Sequence, residues 1–158
     1  MSILLALDSL SATEAFAARL AQAAEAGDII GLAGELGAGK TAFARAFISA
    51  RLGVSEVPSP TFTLVQVYEN ENRGAPVWHF DLYRLEKAEE IFELGIEDAF
   101  DDAICLIEWP ERMAEHAPED WLELHLLPGD TDLSRRAALT PHGARAAQLI
   151  QHIAAPDG

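Results

Sequence analysis

Cysteine is almost missing from this 158-residue chain, where Cys105 stands alone. That excludes an internal disulfide and suits a reducing compartment. Cys105 lies inside the apolar run 103–107, where a thiol behaves as a small hydrophobe and not as a nucleophile. Positive charge is scarce as well. Eleven Lys and Arg stand against 26 Asp and Glu, a net charge of −15. So anionic a body repels phosphate backbones, which argues against tight, direct RNA or DNA binding by this chain. No run approaches the ~20 apolar residues of a membrane span. The apolar patch 3–7 has no basic residue before it and Asp8 directly after it, unlike a signal peptide. The expectation is a cytoplasmic protein without membrane contact. The five histidines (His79, His116, His125, His142 and His152) show no metal-ligand spacing, so a zinc site is not expected. Repeats, low-complexity tracts and dividing linkers are absent too. Residues 1–158 are therefore expected to form one domain, with 49% hydrophobic residues to build its core.

What the chain does carry is Gly34-Glu35-Leu36-Gly37-Ala38-Gly39-Lys40-Thr41. It fits G-x-x-x-x-G-K-[ST], the phosphate-binding P-loop. Ile29, Ile30 and Leu32 lead in as a strand and residues 42–52 lead out as a helix, the context the motif requires. Its glycines let the main chain approach an anion closely. Amides of the loop and of the first helical turn point at that anion, where the helix dipole also favours negative charge. Lys40 would reach the β- and γ-phosphates, and the Thr41 hydroxyl would bind Mg²⁺.

Around this loop the pattern predicts a three-layer α/β domain on a mixed, mostly parallel sheet, with ligand at the carboxyl ends of its parallel strands. Residues 3–7 read as an edge strand. Ser11 to Glu14 has the form of a capping box opening a helix that buries Phe16, Leu20, Ala23 and Ala24 and stops at Gly27. The P-loop helix presents Phe43, Phe47 and Ala50 and stops at Gly53. Pro58 and Pro60 hold the next segment extended. Residues 62–68 and 77–83 read as an antiparallel hairpin, 87–94 as a short helix ended by Gly95, and 104–107 as a buried parallel strand. Residues 121–127 and 135–140 read as strands and 144–153 as a closing helix. The acidic run 86–97 is a solvated face, or a surface for a basic partner.

A P-loop needs an acid at the end of another strand for its metal. Glu108 after Ile104-Cys105-Leu106-Ile107 and Asp81 after Val77-Trp78-His79-Phe80 both qualify. Either could bind Mg²⁺ while the other orients the attacking water. Ser59, Thr61 and Thr63 could sense a γ-phosphate, or cap backbone groups in a tight turn. Trp109 beside Glu108 reads as a packing residue. The guanine-reading N-K-x-D and a D-x-x-G after the loop are both missing, so adenine is favoured over guanine. A small-molecule or nucleoside kinase is the rival reading, weakened by the few basic residues for a lid. A nucleotide-dependent binding module that hydrolyses nothing is a third.

In its blocks Gly34 to Thr41, Ser59-Pro60-Thr61-Phe62-Thr63-Leu64-Val65, His79-Phe80-Asp81-Leu82-Tyr83-Arg84-Leu85, Gly95-Ile96-Glu97-Asp98 and Ile107-Glu108-Trp109-Pro110-Glu111, the chain resembles the TsaE family. Those are bacterial P-loop ATPases of tRNA threonylcarbamoyladenosine synthesis. The resemblance implies an ATPase, weak alone, that resets a complex of the TsaD and TsaB proteins between turnovers and meets tRNA only through that complex. It further implies that Glu35, Leu36, Gly37, Ala38, Gly39, Lys40 and Thr41 hold the phosphates of ATP. On the same footing Thr41 and Glu108 would hold Mg²⁺, Asp81 would serve hydrolysis, residues 59–63 would form a switch-like loop, and Thr13 would lie near the adenine. It assigns nothing beyond about residue 127.

Overall fold

The computed structural model describes residues 2–54, 64–70 and 74–154. The proline-bracketed loop with Ser59, Thr61 and Thr63, and residues 71–73 of the hairpin connector, lie outside the described residues. The elements run β1 (Ile3–Leu7), α1 (Leu10–Ala23), β2 (Ile29–Ala33), α2 (Lys40–Leu52), β3 (Val65–Tyr68), β4 (Val77–Asp81), α3 (Ile96–Asp102), β5 (Ile104–Glu108), β6 (Trp121–Pro128), β7 (Arg135–His142) and α4 (Ala144–Ala154). Two 3₁₀ segments, Ala88–Leu94 and Pro110–His116, flank α3 and β5.

The seven strands form one mixed sheet in the order β1-β7-β6-β2-β5-β4-β3. Its centre, β6-β2-β5-β4, is parallel throughout, while β7 and β3 run against it at the two sides. The centre falls where the sequence is apolar without interruption. All five residues of β2 and of β5 are buried, as strands covered on both faces must be. Alternation divides their side chains between two cores. Ile30, Leu32, Ile104 and Leu106 pack with Leu20, Phe43, Phe47 and Ile48 from α1 and α2, joined by Ile150 of α4. Ile29, Cys105 and Ile107 pack with Ile91, Ile96 and Met113 of the opposite layer. The three-layer expectation holds.

Several local expectations do not. Ser9, not Ser11, caps α1: its Oγ accepts from the Ala12 amide at 3.1 Å, and its carbonyl takes the Thr13 amide. The helix stops at Ala23, well before Gly27, because the Asp28 carboxylate captures the Glu25 amide at 2.7 Å and turns the chain early. On α2 the buried face is Phe43, Ala44, Phe47 and Ile48, and Ala50 is exposed. The strand expected over 77–83 ends at Asp81, whose Oδ1 accepts the Tyr83 amide at 3.1 Å and bends the chain away. Within the acidic stretch, α3 starts after Gly95 in the left-handed region, with Glu97 and Asp98 favourably placed in its first turn. Ile91, Ile96 and Ala99 turn inward there, so the carboxylates face out. No helix among the described residues is long and apolar enough to cross a membrane.

At the end of the sheet remote from the carboxyl ends of β2 and β5, α4 is fastened electrostatically. Asp120 accepts the amides of Arg145 and Ala146 at 2.9 and 3.0 Å, capping the helix from outside its own segment. Arg145 then reaches Asp28 through Nε and a terminal nitrogen at 2.9 and 2.8 Å. Asp28 is 4% exposed, and the hydrogen bonds and charge at Asp28 raise the Arg145 pKa further. Replacing Arg145 by Met leaves a buried carboxylate short of its counter-ion. The expected loss is about 2–3 kcal/mol, read as a fall of roughly 5–10 °C in Tm by calorimetry.

Candidate functional site

The glycine-rich loop begins where β2 ends, at the carboxyl side of the parallel strands. Gly34 (φ 144) passes so close to β6 that a Cβ there would lie 2.7 Å from the Leu126 carbonyl oxygen. Beyond Gly39 the chain enters α2 with no side-chain cap and no acidic residue in the first turn. An uncapped helix start at a glycine loop is the backbone arrangement that receives anions. Arg135, on β7, steadies the loop from across the sheet by donating from Nε to the Ala38 carbonyl at 2.8 Å. Between the loop and the turn joining β6 to β7 runs a groove of about 670 Å³, bordered by Glu35 to Ala38 on one side and by Leu127, Pro128 and Asp130 on the other.

Lys40 is 5% exposed. Its ammonium donates to the Gly34 and Glu35 carbonyls at 2.5 and 2.9 Å and stands 4.0 Å from the ring centroid of Trp109, a cation–π contact. Burial lowers its pKa, and the charges of Glu108, Glu111 and Asp81 pull in the other direction.

Thr41 follows, and its Oγ1 donates to the Glu108 carboxylate at 2.9 Å from Oε1 and 3.2 Å from Oε2. Glu108 is 3% exposed, at the last position of β5. Its second oxygen meets His79 Nε2 at 2.6 Å. Asp81 ends β4 in register with Glu108, so the parallel pairing sets the two carboxyl groups side by side. The turn after them is held from both neighbours: the Leu82 amide donates to the Glu108 carbonyl at 3.1 Å and the Trp109 amide to Leu32 at 3.2 Å. Trp109 itself takes a left-handed conformation (φ 60, ψ 54) and packs on Tyr83 with centroids 4.9 Å apart.

Of the residues singled out in the sequence, the fold gathers Lys40, Thr41, Asp81 and Glu108 at one mouth. Thr13 is placed on α1, where its hydroxyl donates back to the Ser9 carbonyl at 3.3 Å. Three participants were not singled out. His79 has a signal, its i, i+2 alternation with Asp81 along one strand face. Arg135 and Glu111 have none, because only the folded chain brings them to the loop and to Lys40. Trp109 packs as expected, but its partner is the ammonium. His116, half-buried, lies 3.6 Å from both Glu89 and Glu115, which are exposed. Cys105 is buried, its pKa pushed up to about 12 by desolvation, and inert as expected.

A mixed α/β sheet with a glycine loop at the carboxyl end of its parallel strands defines the class. The model of the family described as "Threonylcarbamoyl adenosine biosynthesis protein TsaE" matches residues 7–137. A tRNA threonylcarbamoyladenosine biosynthesis protein TsaE of Rickettsia conorii is 39% identical over 137 residues, covering 86% of this chain and 77% of that one. The Bacillus subtilis protein of the same name is 35% identical over 148 residues, covering 92% and 89%. The crystal structure of Bacillus subtilis YdiB superposes with a TM-score of 0.77 at 28% identity, over 97% of this chain and 94% of that one. This chain belongs to the TsaE family.

Two glycines separate close approach from loop freedom. Gly34→Ala must push Leu126 aside and is expected to lose about 2–3 kcal/mol. Gly37 (φ 82) has nothing within 4 Å of a would-be Cβ, so Gly37→Ala loses only the left-handed penalty, about 1 kcal/mol. Urea unfolding of the two variants checks the order.

Proposed function

We propose that this chain is a magnesium-dependent ATPase of tRNA threonylcarbamoyladenosine synthesis, working in the cytoplasm on a complex of TsaD and TsaB. One observation carries the reading: Lys40 and Thr41, adjacent at the start of an uncapped helix, meet the buried carboxylate of Glu108 and the strand-end Asp81. A hydroxyl and carboxylates are hard oxygen donors, the set that suits Mg²⁺. Thr41 and Glu108 would hold it, and when bound it supplies charge neutralisation of the phosphate oxygens.

The work of the chain's own groups follows from their positions. Amides of Glu35 to Thr41 bind the phosphates. Lys40 exchanges the Gly34 and Glu35 carbonyls for phosphate oxygens, a stronger, charge-assisted partner. Asp81 orients the attacking water. The groove between the loop and the β6–β7 turn has room for the nucleoside, while a place for Thr13 near the adenine rests on the family resemblance alone, since Thr13 does not border that groove. A net charge of −15 leaves RNA contacts to the partner proteins.

Purified protein with Mg-ATP, alone and with TsaB–TsaD, tests this. Phosphate release that the partners stimulate is the expected result. Transfer to a metabolite would instead make the chain a small-molecule kinase, and tight binding without turnover a binding module. Lys40→Ala should weaken ATP binding about tenfold to hundredfold, the equivalent of the 1.5–3 kcal/mol of a charge-assisted hydrogen bond. Its fold should be retained, with a melting temperature without nucleotide lowered by the loss of the buried ammonium's two hydrogen bonds. Unchanged ATP affinity, followed by calorimetry, would remove the site.

A further inference from the structure

His79 has no part in the loop motif, yet among the described residues it is the least exposed of the buried polar and charged side chains, at 1%. It lies on β4 two residues before Asp81, so both side chains leave the same face of the sheet. Its Nε2 is 2.6 Å from Glu108 Oε2, while Thr41 Oγ1 sits closer to Oε1. An ionised carboxylate only accepts hydrogen bonds, so Nε2 carries the hydrogen and donates it. Donors from α2 and β4 thus pin the Glu108 carboxylate, itself on β5, at both oxygens. Those two donors restrain rotation of the carboxylate plane.

We propose that His79 is a positioning residue. By occupying Oε2 it turns Oε1, beside the Thr41 hydroxyl, toward the divalent cation of the phosphates. A carboxylate held in this way by two donors serves as a fixed oxygen ligand and not as the group that handles water. That task falls to Asp81, which is partly exposed and in register beside it. Outer-sphere donors of this kind, when removed, typically lower metal affinity 10–100-fold. The inference rests on the magnesium reading above and adds to it which of the two carboxylates meets the metal, and why.

The test measures binding, not turnover. Calorimetry with a non-hydrolysable ATP analogue, in Mg²⁺ and in EDTA, gives the gain in affinity that the metal confers. In His79→Ala that gain should fall about 10–100-fold, with the affinity in EDTA within about twofold of wild type. His79→Gln, which can place an N–H near the same point, should recover most of the gain. Should the alanine variant not fold, His79→Met, apolar and of similar length, is read against His79→Gln by the same criterion. A gain that survives in His79→Ala overturns the inference while leaving the magnesium reading intact. An affinity that falls equally in EDTA makes His79 a packing residue and also overturns it. A wild-type protein with no gain from Mg²⁺ overturns the magnesium reading itself, and the inference with it.

Discussion

One buried carboxylate organises the working end of this protein. Glu108 ends the central strand β5, 3% exposed, where an unpaired charge would be intolerable. It is tolerated because two elements converge to satisfy it, α2 through the Thr41 hydroxyl and β4 through His79, while the charge of the Lys40 ammonium, bound to the loop carbonyls, acts on it from further off. Its backbone carbonyl takes the Leu82 amide as well. Each of these donors fixes the position of an element that the proposed chemistry uses. The need to pair a buried charge and the need to place Thr41, Lys40 and Asp81 together are met by one set of contacts.

The same logic reconciles an anionic protein with the anionic ligand proposed for it. The net charge of −15 is spread over exposed carboxylates, and exposed charges are screened beyond about 8 Å at physiological ionic strength. At the loop the field is local: main-chain amides, an uncapped helix start and Lys40. Yet Glu108, Glu111 and Asp81 also bear on that ammonium. A bare triphosphate brought against three carboxylates meets repulsion that one lysine does not offset. On the reading proposed above, the divalent cation converts those acids from opponents into ligands and orienting groups.

How much of this the sequence discloses follows the range of the interactions. The loop is written locally, in glycines and Lys40-Thr41 within eight residues, and the apolar runs announce β2 and β5 because strands buried on both faces tolerate little else. Glu108 and Asp81 were legible as acids after such runs. The choice of Ser9 over Ser11 as the cap was not, since both are serines two residues apart and the decision lies in backbone geometry. The early stop of α1 depends on Asp28, which tertiary pairing with Arg145 holds in place. α3 was hidden because only Ile96 and Ala99 are buried in its seven residues, too short an element to show a period. Arg135 is 95 residues from Lys40 along the chain by its number (135 − 40), and reaches the loop only because β7 lies beside β6, itself beside β2.

Trp109 shows how the site couples its parts. A bulky residue in the left-handed region is a local strain of order 1–3 kcal/mol, and it persists because its surroundings over-determine it. Its amide is bound to Leu32, its ring rests on Tyr83, and the Lys40 ammonium lies over its face. The strained turn therefore connects the end of β5, which carries Glu108, to the same ammonium that holds the Gly34 and Glu35 carbonyls. Without a ligand the Lys40 ammonium already donates to two carbonyls and rests against the Trp109 ring. On the reading proposed above, an incoming phosphate would not fill a void but would take the place of two carbonyls, and the contact with Trp109 would carry the change to the turn beside Glu108. Because a ligand shifts a conformational equilibrium only by its differential affinity for the two states, the contacts that Lys40 would give up would, on that reading, set how far a nucleotide could move that turn.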